Sequence, residues 1–221
     1  YVGVLAGETS YSTDSKAKGI NVDNISVYGA KIAGEDAMIS AAGGLVGCAN
    51  LYTNITNSSF QGEIALPNSE NVGGIVGQTR TSSGVSACYA NVNAAAKSNL
   101  GGIVGVAGSV QDFCVFSNCE VRGKLTAENS VGGFIGDNYF NNISNVISHA
   151  DIVATSKSAW NGYDAGGIIG VMESDWSGKA NGSVKNCVFD GSIKAFLDGK
   201  EVENPATAHQ IAGKTIADED Y

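Results

Sequence analysis

The sequence predicts an all-β fold, a parallel β-helix or closely related β-solenoid with about seven rungs of roughly 30 residues each. The first observation is a glycine-rich phrase that recurs along the 221-residue chain. It reads Gly-Gly-[Ile/Leu/Phe]-[Val/Ile]-Gly in five copies, which begin at Gly43, Gly73, Gly101, Gly132 and Gly166. Degenerate copies occur at each end, in residues 3–7 and 209–213. Repeats of this length are typical of proteins that stack one structural unit on the next.

A second phrase follows the glycines in each period. Its template is apolar-x-Asn-[Cys or apolar]-x-x-x-Gly-x-apolar, as in Phe116-Ser117-Asn118-Cys119, which leads to Gly123 and Leu125. Short apolar stretches bounded by Gly, Asn and Ser indicate strands. No segment carries an apolar stripe at helical spacing over ten or more residues, so we expect short strands and no substantial helix.

Strands that repeat without helices bury their apolar faces by stacking, with equivalent residues about 4.8 Å apart. We therefore expect an inward column of Ile75, Ile103, Phe134 and Ile168. The asparagines of the second phrase are expected to form a ladder of amide hydrogen bonds at an inner corner. The members of this ladder are Asn24, Asn57, Asn118, Asn145 and Asn186. Ala87 interrupts it, which predicts a local defect or a water there.

Five cysteines are present, an odd number that cannot be fully paired within the chain. They are Cys48, Cys88, Cys114, Cys119 and Cys187. There is no Cys-x-x-Cys sequence, so a zinc site is poorly supported and no metal is expected. We expect buried thiols that act as small hydrophobic groups. Cys88 and Cys119 fall in adjacent rungs, and a disulfide between them remains an alternative.

Charge and hydropathy exclude two classes of partner. The net charge is -9, which argues against nucleic acid because nucleic-acid binding needs a basic face. No apolar run is long enough to span a membrane. We expect one β-solenoid domain over residues 1–221. The chain opens at Tyr1 on a repeat that is already under way, which predicts a segment of a larger protein.

The phrase Val72–Gly77, with its partner stretch Val85–Ala90, resembles the GLUG motif of bacterial surface proteins. The resemblance covers essentially the whole chain as six to seven units. It implies a secreted or surface-attached parent protein, either adhesin-like or carrying an immunoglobulin A peptidase module. The chain has no His-Glu-x-x-His sequence, so a protease module of such a parent would lie outside it.

Aromatic residues in the later repeats are the leading candidates for ligand binding. Trp160 and Tyr163 lie in one insertion, Trp176 lies in the next, and Tyr139 lies one rung earlier, close to Asp137. Aromatic faces with polar neighbours suit sugar rings, so these five residues predict a glycan- or protein-binding patch. The alternative is that the rings pack the loops onto the flank of the solenoid.

Catalytic residues are not predicted. Glycosidic chemistry needs two carboxylates about 5 to 10 Å apart. Asp137, Glu173 and Asp175 come nearest to this, but no column of acids recurs from rung to rung, so they are expected to be exposed loop acids. His149 and Asp151 are two residues apart and are expected to form an exposed or capping pair. No cofactor is expected.

The sequence thus predicts a non-enzymatic extracellular repeat domain, a stalk or adhesion scaffold on a bacterial cell surface or in a secreted protein. Its expected partners are a glycan or a host or bacterial surface protein, bound through loops of the later repeats. The alternative is a polysaccharide-active β-helix enzyme, or an accessory region of a surface protease. A third class, an assembly subunit, follows from the unpaired strand edges at solenoid ends.

Overall fold

The computed structural model describes residues 1–9, 19–50, 52–80, 82–108, 114–156, 164–173, 182–202, 208–209 and 212–216. All regular structure in these residues is β-strand. None of the described segments forms a helix with the length and hydropathy needed to span a bilayer. In chain order the strands are β1 (Val2–Gly3), β2 (Ala6–Thr9), β3 (Ile20–Asp23), β4 (Ser26–Ala33), β5 (Ala42–Gly43), β6 (Val46–Ala49), β7 (Thr53–Thr56), β8 (Ser59–Leu66), β9 (Val72–Gly73), β10 (Val76–Thr79), β11 (Gly84–Ser86), β12 (Tyr89–Gly101), β13 (Val104–Ala107), β14 (Val115–Arg122), β15 (Lys124–Gly132), β16 (Ile135–Tyr139), β17 (Asn142–Ser148), β18 (Asp151–Ser156), β19 (Ala165–Gly166), β20 (Ile169–Glu173), β21 (Val184–Lys185), β22 (Val188–Phe189), β23 (Ser192–Leu197), β24 (Lys200–Glu201), β25 (Ala208–His209) and β26 (Ala212–Ile216).

Strands of successive turns pair in parallel, so the predicted β-solenoid is confirmed. One sheet contains β2, β6, β10, β13, β16, β20 and β26 in that order, and we call it the seven-strand sheet. The other described strands form a larger sheet, which wraps the remaining sides of each turn. The solenoid has about five turns, so the predicted count of seven is slightly high.

The repeated glycine phrase is a sharp corner between two strands. β9 ends at Gly73 and β10 begins at Val76, so the chain bends at residues 74–75. A Cβ atom on Gly73 would lie 2.1 Å from the carbonyl oxygen of Val76. A Cβ atom on Gly74 would lie 2.1 Å from the carbonyl oxygen of Gly102 in the next turn. Glycine is therefore required because backbone meets backbone at this corner.

The predicted inward column is confirmed. The large apolar residue of each complete phrase is fully buried, in the order Leu45, Ile75, Ile103, Phe134 and Ile168. The next residue of the phrase starts the following strand, and Val76 and Val104 are paired in register and fully buried as well. Phe134 packs edge-on against Phe116, with 6.4 Å between the ring centroids. The core is thus a stack of like residues that continues from turn to turn.

The predicted asparagine column lies on the outside of a corner, so its expected inner position is wrong. All of its members are exposed and have φ between 49° and 58°, namely Asn24, Asn57, Asn118, Asn145 and Asn186. Ala87 occupies the same place with φ of 52°. Asparagine enters the left-handed region more readily than most residues, which explains its recurrence.

Amide hydrogen bonds run along part of this exposed column. The Nδ2 of Asn186 donates to Oδ1 of Asn145 at 3.3 Å, and the Nδ2 of Asn145 donates to Oδ1 of Asn118 at 3.1 Å. In the first turns the Nδ2 of Asn57 donates to Oδ1 of Asp23 at 2.8 Å instead. At this corner the side chains of successive later turns are therefore connected through amides.

Replacing Asn145 with Ala should lower the free energy of unfolding by about 1–2 kcal/mol, because alanine lacks the short polar side chain whose local hydrogen bonds let asparagine adopt the left-handed conformation. Replacing Asn145 with Gly should cost less, because glycine adopts φ of 54° without that penalty. Urea denaturation of both variants measures the difference. Equal stabilities of the Ala and Gly variants would show that backbone conformation does not select asparagine here.

The residue after each corner carries a buried hydroxyl or thiol in several turns. The Oγ of Ser58 donates to the carbonyl oxygen of Thr56 at 2.6 Å, and the Sγ of Cys119 donates to that of Ser117 at 3.2 Å. Cys88 lies between them in the stack and is a free thiol, as is Cys119, so no disulfide joins this pair. Burial raises the pKa of Cys88 to about 11 and that of Cys119 to about 12. Both thiols are therefore neutral and act as small core residues, as the sequence predicted.

Candidate functional site

An open groove of about 470 Å³ lies against the seven-strand sheet, and we call it the Asp137 groove. Most of its lining residues have polar side chains, and they come from several successive turns. The lining residues used below are Glu70, Asn71, Gln78, Thr79, Arg80, Asn99, Asp137 and Tyr139. The volume lies within the range of about 300–1,000 Å³ that is typical of small-molecule sites.

Strand register places Asp137 between apolar neighbours. In the seven-strand sheet Asp137 pairs with Val106 on one side and with Val171 on the other. Each valine is 6 % exposed, and Asp137 itself is only 8 % exposed. The prediction that Asp137 is an exposed loop acid is therefore wrong, because the residue belongs to β16 and its carboxyl group is shielded by the stacked turns.

The pKa of Asp137 is raised to about 7, chiefly by burial and also by the charges of Glu173 and Asp164, while a hydrogen bond with Tyr139 opposes the shift. The Oδ1 atom of Asp137 is buried and has no hydrogen-bond partner among the residues that the structure describes. A carboxyl group in this setting holds its proton close to neutral pH. Strongly perturbed carboxyl groups in grooves are candidates for function.

Tyr139 connects two acidic side chains. Glu173 is its register partner on the next turn, and the Tyr139 hydroxyl group forms hydrogen bonds with both Glu173 and Asp137. Burial raises the pKa of Tyr139, and the charges of Asp137 and Glu173 add to the effect. One phenolic proton satisfies one acceptor at a time. Protonation of Asp137 relieves this competition, because a carboxylic acid donates a hydrogen bond of its own.

A second corner of left-handed residues forms one edge of the groove. Asn71 and Asn99 both have φ of 51°, and the Nδ2 of Asn99 donates to Oδ1 of Asn71 at 2.8 Å. The sequence analysis missed this corner. Its signal was an asparagine or serine two residues before the glycine phrase, as at Asn71, Asn99 and Ser130.

Two other charged residues of the groove already have partners. Arg80 donates from Nη2 to the hydroxyl oxygen of Tyr1 at 2.9 Å, and its guanidinium carbon lies 6.0 Å from the centroid of that ring. Glu70 lies 3.7 Å from the ammonium group of Lys97. Oδ1 of Asp137 and Oγ1 of Thr79 are thus the two buried polar side-chain atoms of this lining that have no hydrogen-bond partner among the described residues.

Comparison with protein families identifies one stretch of the chain. Residues 39–65 match the model of the GLUG motif. The chain carries a GLUG motif. The matched residues include the glycine corner at Gly43, the strand β7 and the left-handed Asn57. Later turns repeat this order of elements, which is consistent with a GLUG-repeat region. No curated protein and no solved structure matches the chain significantly.

The GLUG turns bring together only part of the predicted ligand site. Asp137 and Tyr139 are neighbours in the Asp137 groove. Trp160, Tyr163 and Trp176 lie outside the described residues, as does Asp175. Tyr163 directly precedes Asp164 in sequence, and Trp176 follows Glu173 by three residues.

The predicted pair of His149 and Asp151 is wrong, because both side chains find partners on the next turn. The Nδ1 of His149 contacts the carboxylate of Asp190, and the Oγ of Ser192 donates to Oδ1 of Asp151 at 2.6 Å. Stacked turns lie closer together than alternate residues of one strand. Among the described side chains, no group of three or more His, Cys, Asp or Glu is placed to hold a metal ion.

Proposed function

We propose that the chain is a non-enzymatic extracellular repeat domain, which serves as a stalk or adhesion scaffold on a bacterial cell surface. The observation that carries the proposal is the GLUG motif at residues 39–65, set in a parallel solenoid whose other turns have the same construction. Each turn of such a solenoid contacts only its neighbours, so the fold grows along one axis. That property suits a domain that holds a binding surface away from its point of attachment.

The later repeats would bind a glycan or a surface protein. The support is the Asp137 groove, where a buried acid, an aromatic ring and amide groups line one surface. The two segments with Trp160, Tyr163 and Trp176 are joined in sequence to Asp164 and Glu173, whose charges act on Asp137. Aromatic faces with polar groups beside them are suited to sugar rings, which carry C–H faces and hydroxyl edges.

Glycan or protein binding is tested with the full chain on a glycan array and on immobilised mucin. The variant that combines Trp160→Ala and Trp176→Ala should bind at least about tenfold more weakly, as expected when two aromatic anchors are removed. Tyr28→Ala is the matched control, because Tyr28 is an aromatic residue of the first turns and is 68 % exposed. Unchanged binding by the double variant would reject the loop site. Absence of any glycan or protein binding by the wild type would reject the adhesion role.

One observation favours a polysaccharide-active enzyme as the second candidate. The pKa of Asp137 is raised to about 7, in part by the charge of Glu173 on the adjacent strand, and a raised carboxyl pKa is typical of a general acid. Release of reducing sugar from a polysaccharide panel distinguishes the two functions. Turnover that disappears in Asp137→Asn would support the enzyme, and its absence in a chain that binds glycan would support the scaffold.

A further inference from the structure

Asp137 lines a groove, and one of its carboxyl oxygens, Oδ1, lacks a hydrogen-bond partner among the described residues. The residue is 8 % exposed, and its Oδ1 atom is buried. A buried polar atom without a partner costs about 1–3 kcal/mol, so such an atom requires an explanation. A ligand that occupies the groove and offers a hydroxyl group would supply the missing bond.

The charges around the groove select against an anionic ligand. Glu70 and Asp137 line it, Glu173 and Asp164 act on Asp137 electrostatically, and the whole chain has a net charge of -9. Arg80 also lines the groove, where its guanidinium group donates to the neutral Tyr1 hydroxyl. Glu70 is paired with Lys97, so the negative charge that remains near the groove comes from the acids around Asp137. The remaining polar lining includes the Thr79 hydroxyl group and the amides of Asn71, Asn99 and Gln78, which donate and accept hydrogen bonds without charge.

We propose that the Asp137 groove is a subsite for one uncharged sugar unit, whose hydroxyl groups bond to Asp137 and to the amides of Asn71 and Asn99, with Tyr139 as the aromatic wall. This inference rests on the proposed glycan-binding function and assigns its ligand class and its location. A protonated carboxyl group both donates and accepts hydrogen bonds, as a sugar hydroxyl does. This complementarity of donors and acceptors is lost when Asp137 ionises, because a carboxylate only accepts hydrogen bonds. The new negative charge would also lie close to that of Glu173.

Affinity for the sugar should therefore fall as pH rises. With a pKa of about 7 in the free protein, Asp137 is mostly protonated at pH 6 and mostly ionised at pH 8. Apparent affinity scales with the fraction of protein in the competent state, so the dissociation constant should increase about tenfold between these two pH values. The groups facing Asp137 that set this behaviour are Glu173, Asp164 and Tyr139.

The test is calorimetric or NMR titration of the full chain with neutral methyl glycosides, and in parallel with glucosamine and glucuronate, at pH 6 and pH 8. Neutral glycosides should bind at pH 6 and about tenfold more weakly at pH 8. Asp137→Asn, which stays uncharged, should bind about equally at both pH values. Asp36→Asn is the matched control, since Asp36 is exposed, and it should keep the wild-type pH dependence. Circular dichroism confirms the fold of each variant.

Three results would overturn the proposal of a sugar subsite in the Asp137 groove. Tighter binding of glucosamine at pH 8 than at pH 6 would identify a cation site. Glycan binding that is identical in wild type and Asp137→Asn at both pH values would place the ligand elsewhere and leave the proposed adhesion role intact. Absence of glycan and protein binding by the wild type would reject the subsite together with that role.

Discussion

Replacing Asp137 with Asn is expected to make the protein more stable than the wild type at pH 8. The folded-state pKa of Asp137 is raised to about 7 from an ordinary value of 3.8, chiefly by burial. At pH values between these two pKa values the folded state binds more protons than the unfolded state, so wild-type stability falls as pH rises. Each pKa unit corresponds to about 1.4 kcal/mol, which sets the gain of Asp137→Asn at about 2–4 kcal/mol.

Urea denaturation at several pH values between 4 and 8 measures this effect. The two proteins should differ least near pH 4, where Asp137 is protonated in the folded state and about half protonated in the unfolded state, and most at pH 8. Asp36→Asn removes the same charge from an exposed site and should follow the wild-type profile. Parallel profiles for wild type and Asp137→Asn would mean that Asp137 ionises normally in the folded protein.

A methyl group at the glycine corner is expected to have the largest destabilising effect. In Gly101→Ala the new Cβ atom would lie 1.9 Å from the carbonyl oxygen of Val104 and 2.7 Å from that of Phe134. Both contacts are with backbone, one of them in the next turn, so no side chain can move aside. We expect a loss of more than about 3 kcal/mol in the free energy of unfolding, at the upper end for overpacking.

Substitutions at two further glycines distinguish the effect of steric crowding from the effect of backbone conformation. Gly108→Ala should change stability by less than about 0.5 kcal/mol, because its new Cβ atom would lie 3.4 Å from the nearest atom. Gly29→Ala meets nothing within 4 Å but has φ of 67°, so it should cost about 1–2 kcal/mol. Thermal denaturation ranks the three variants. A Gly101→Ala variant as stable as Gly108→Ala would refute the close approach of successive turns.

The repeat period was sufficient to predict stacking, and with it the burial of Ile75, Ile103 and Phe134. It was insufficient to place the corners. Asn118 and Asn145 recur for a backbone reason, their left-handed φ, and recurrence alone does not distinguish an exposed corner amide from a buried ladder. The same limit applies to the glycine phrase, where the reason for each glycine is a carbonyl oxygen about 2 Å from the Cβ position, contributed in part by the next turn.

The Asp137 groove was predicted in part, because Asp137 and Tyr139 are close in sequence and follow a complete glycine phrase. Their burial was not predictable from the repeat pattern. It depends on Val106 and Val171, which are 31 and 34 residues away in sequence and adjacent only after the turns stack. The partner of His149 was not predictable for the same reason, since Asp190 also lies on the next turn.

The in-register stacking of turns also bears on how such a gene can change its length. Val46, Val76 and Val104 hold equivalent places in consecutive turns, so a recombination event that joins two of these positions removes or duplicates one whole turn. The junction then connects backbones that already have the same conformation and the same neighbours. Length changes in steps of about 4.8 Å without a new core, and selection can tune the reach of the domain by copy number alone.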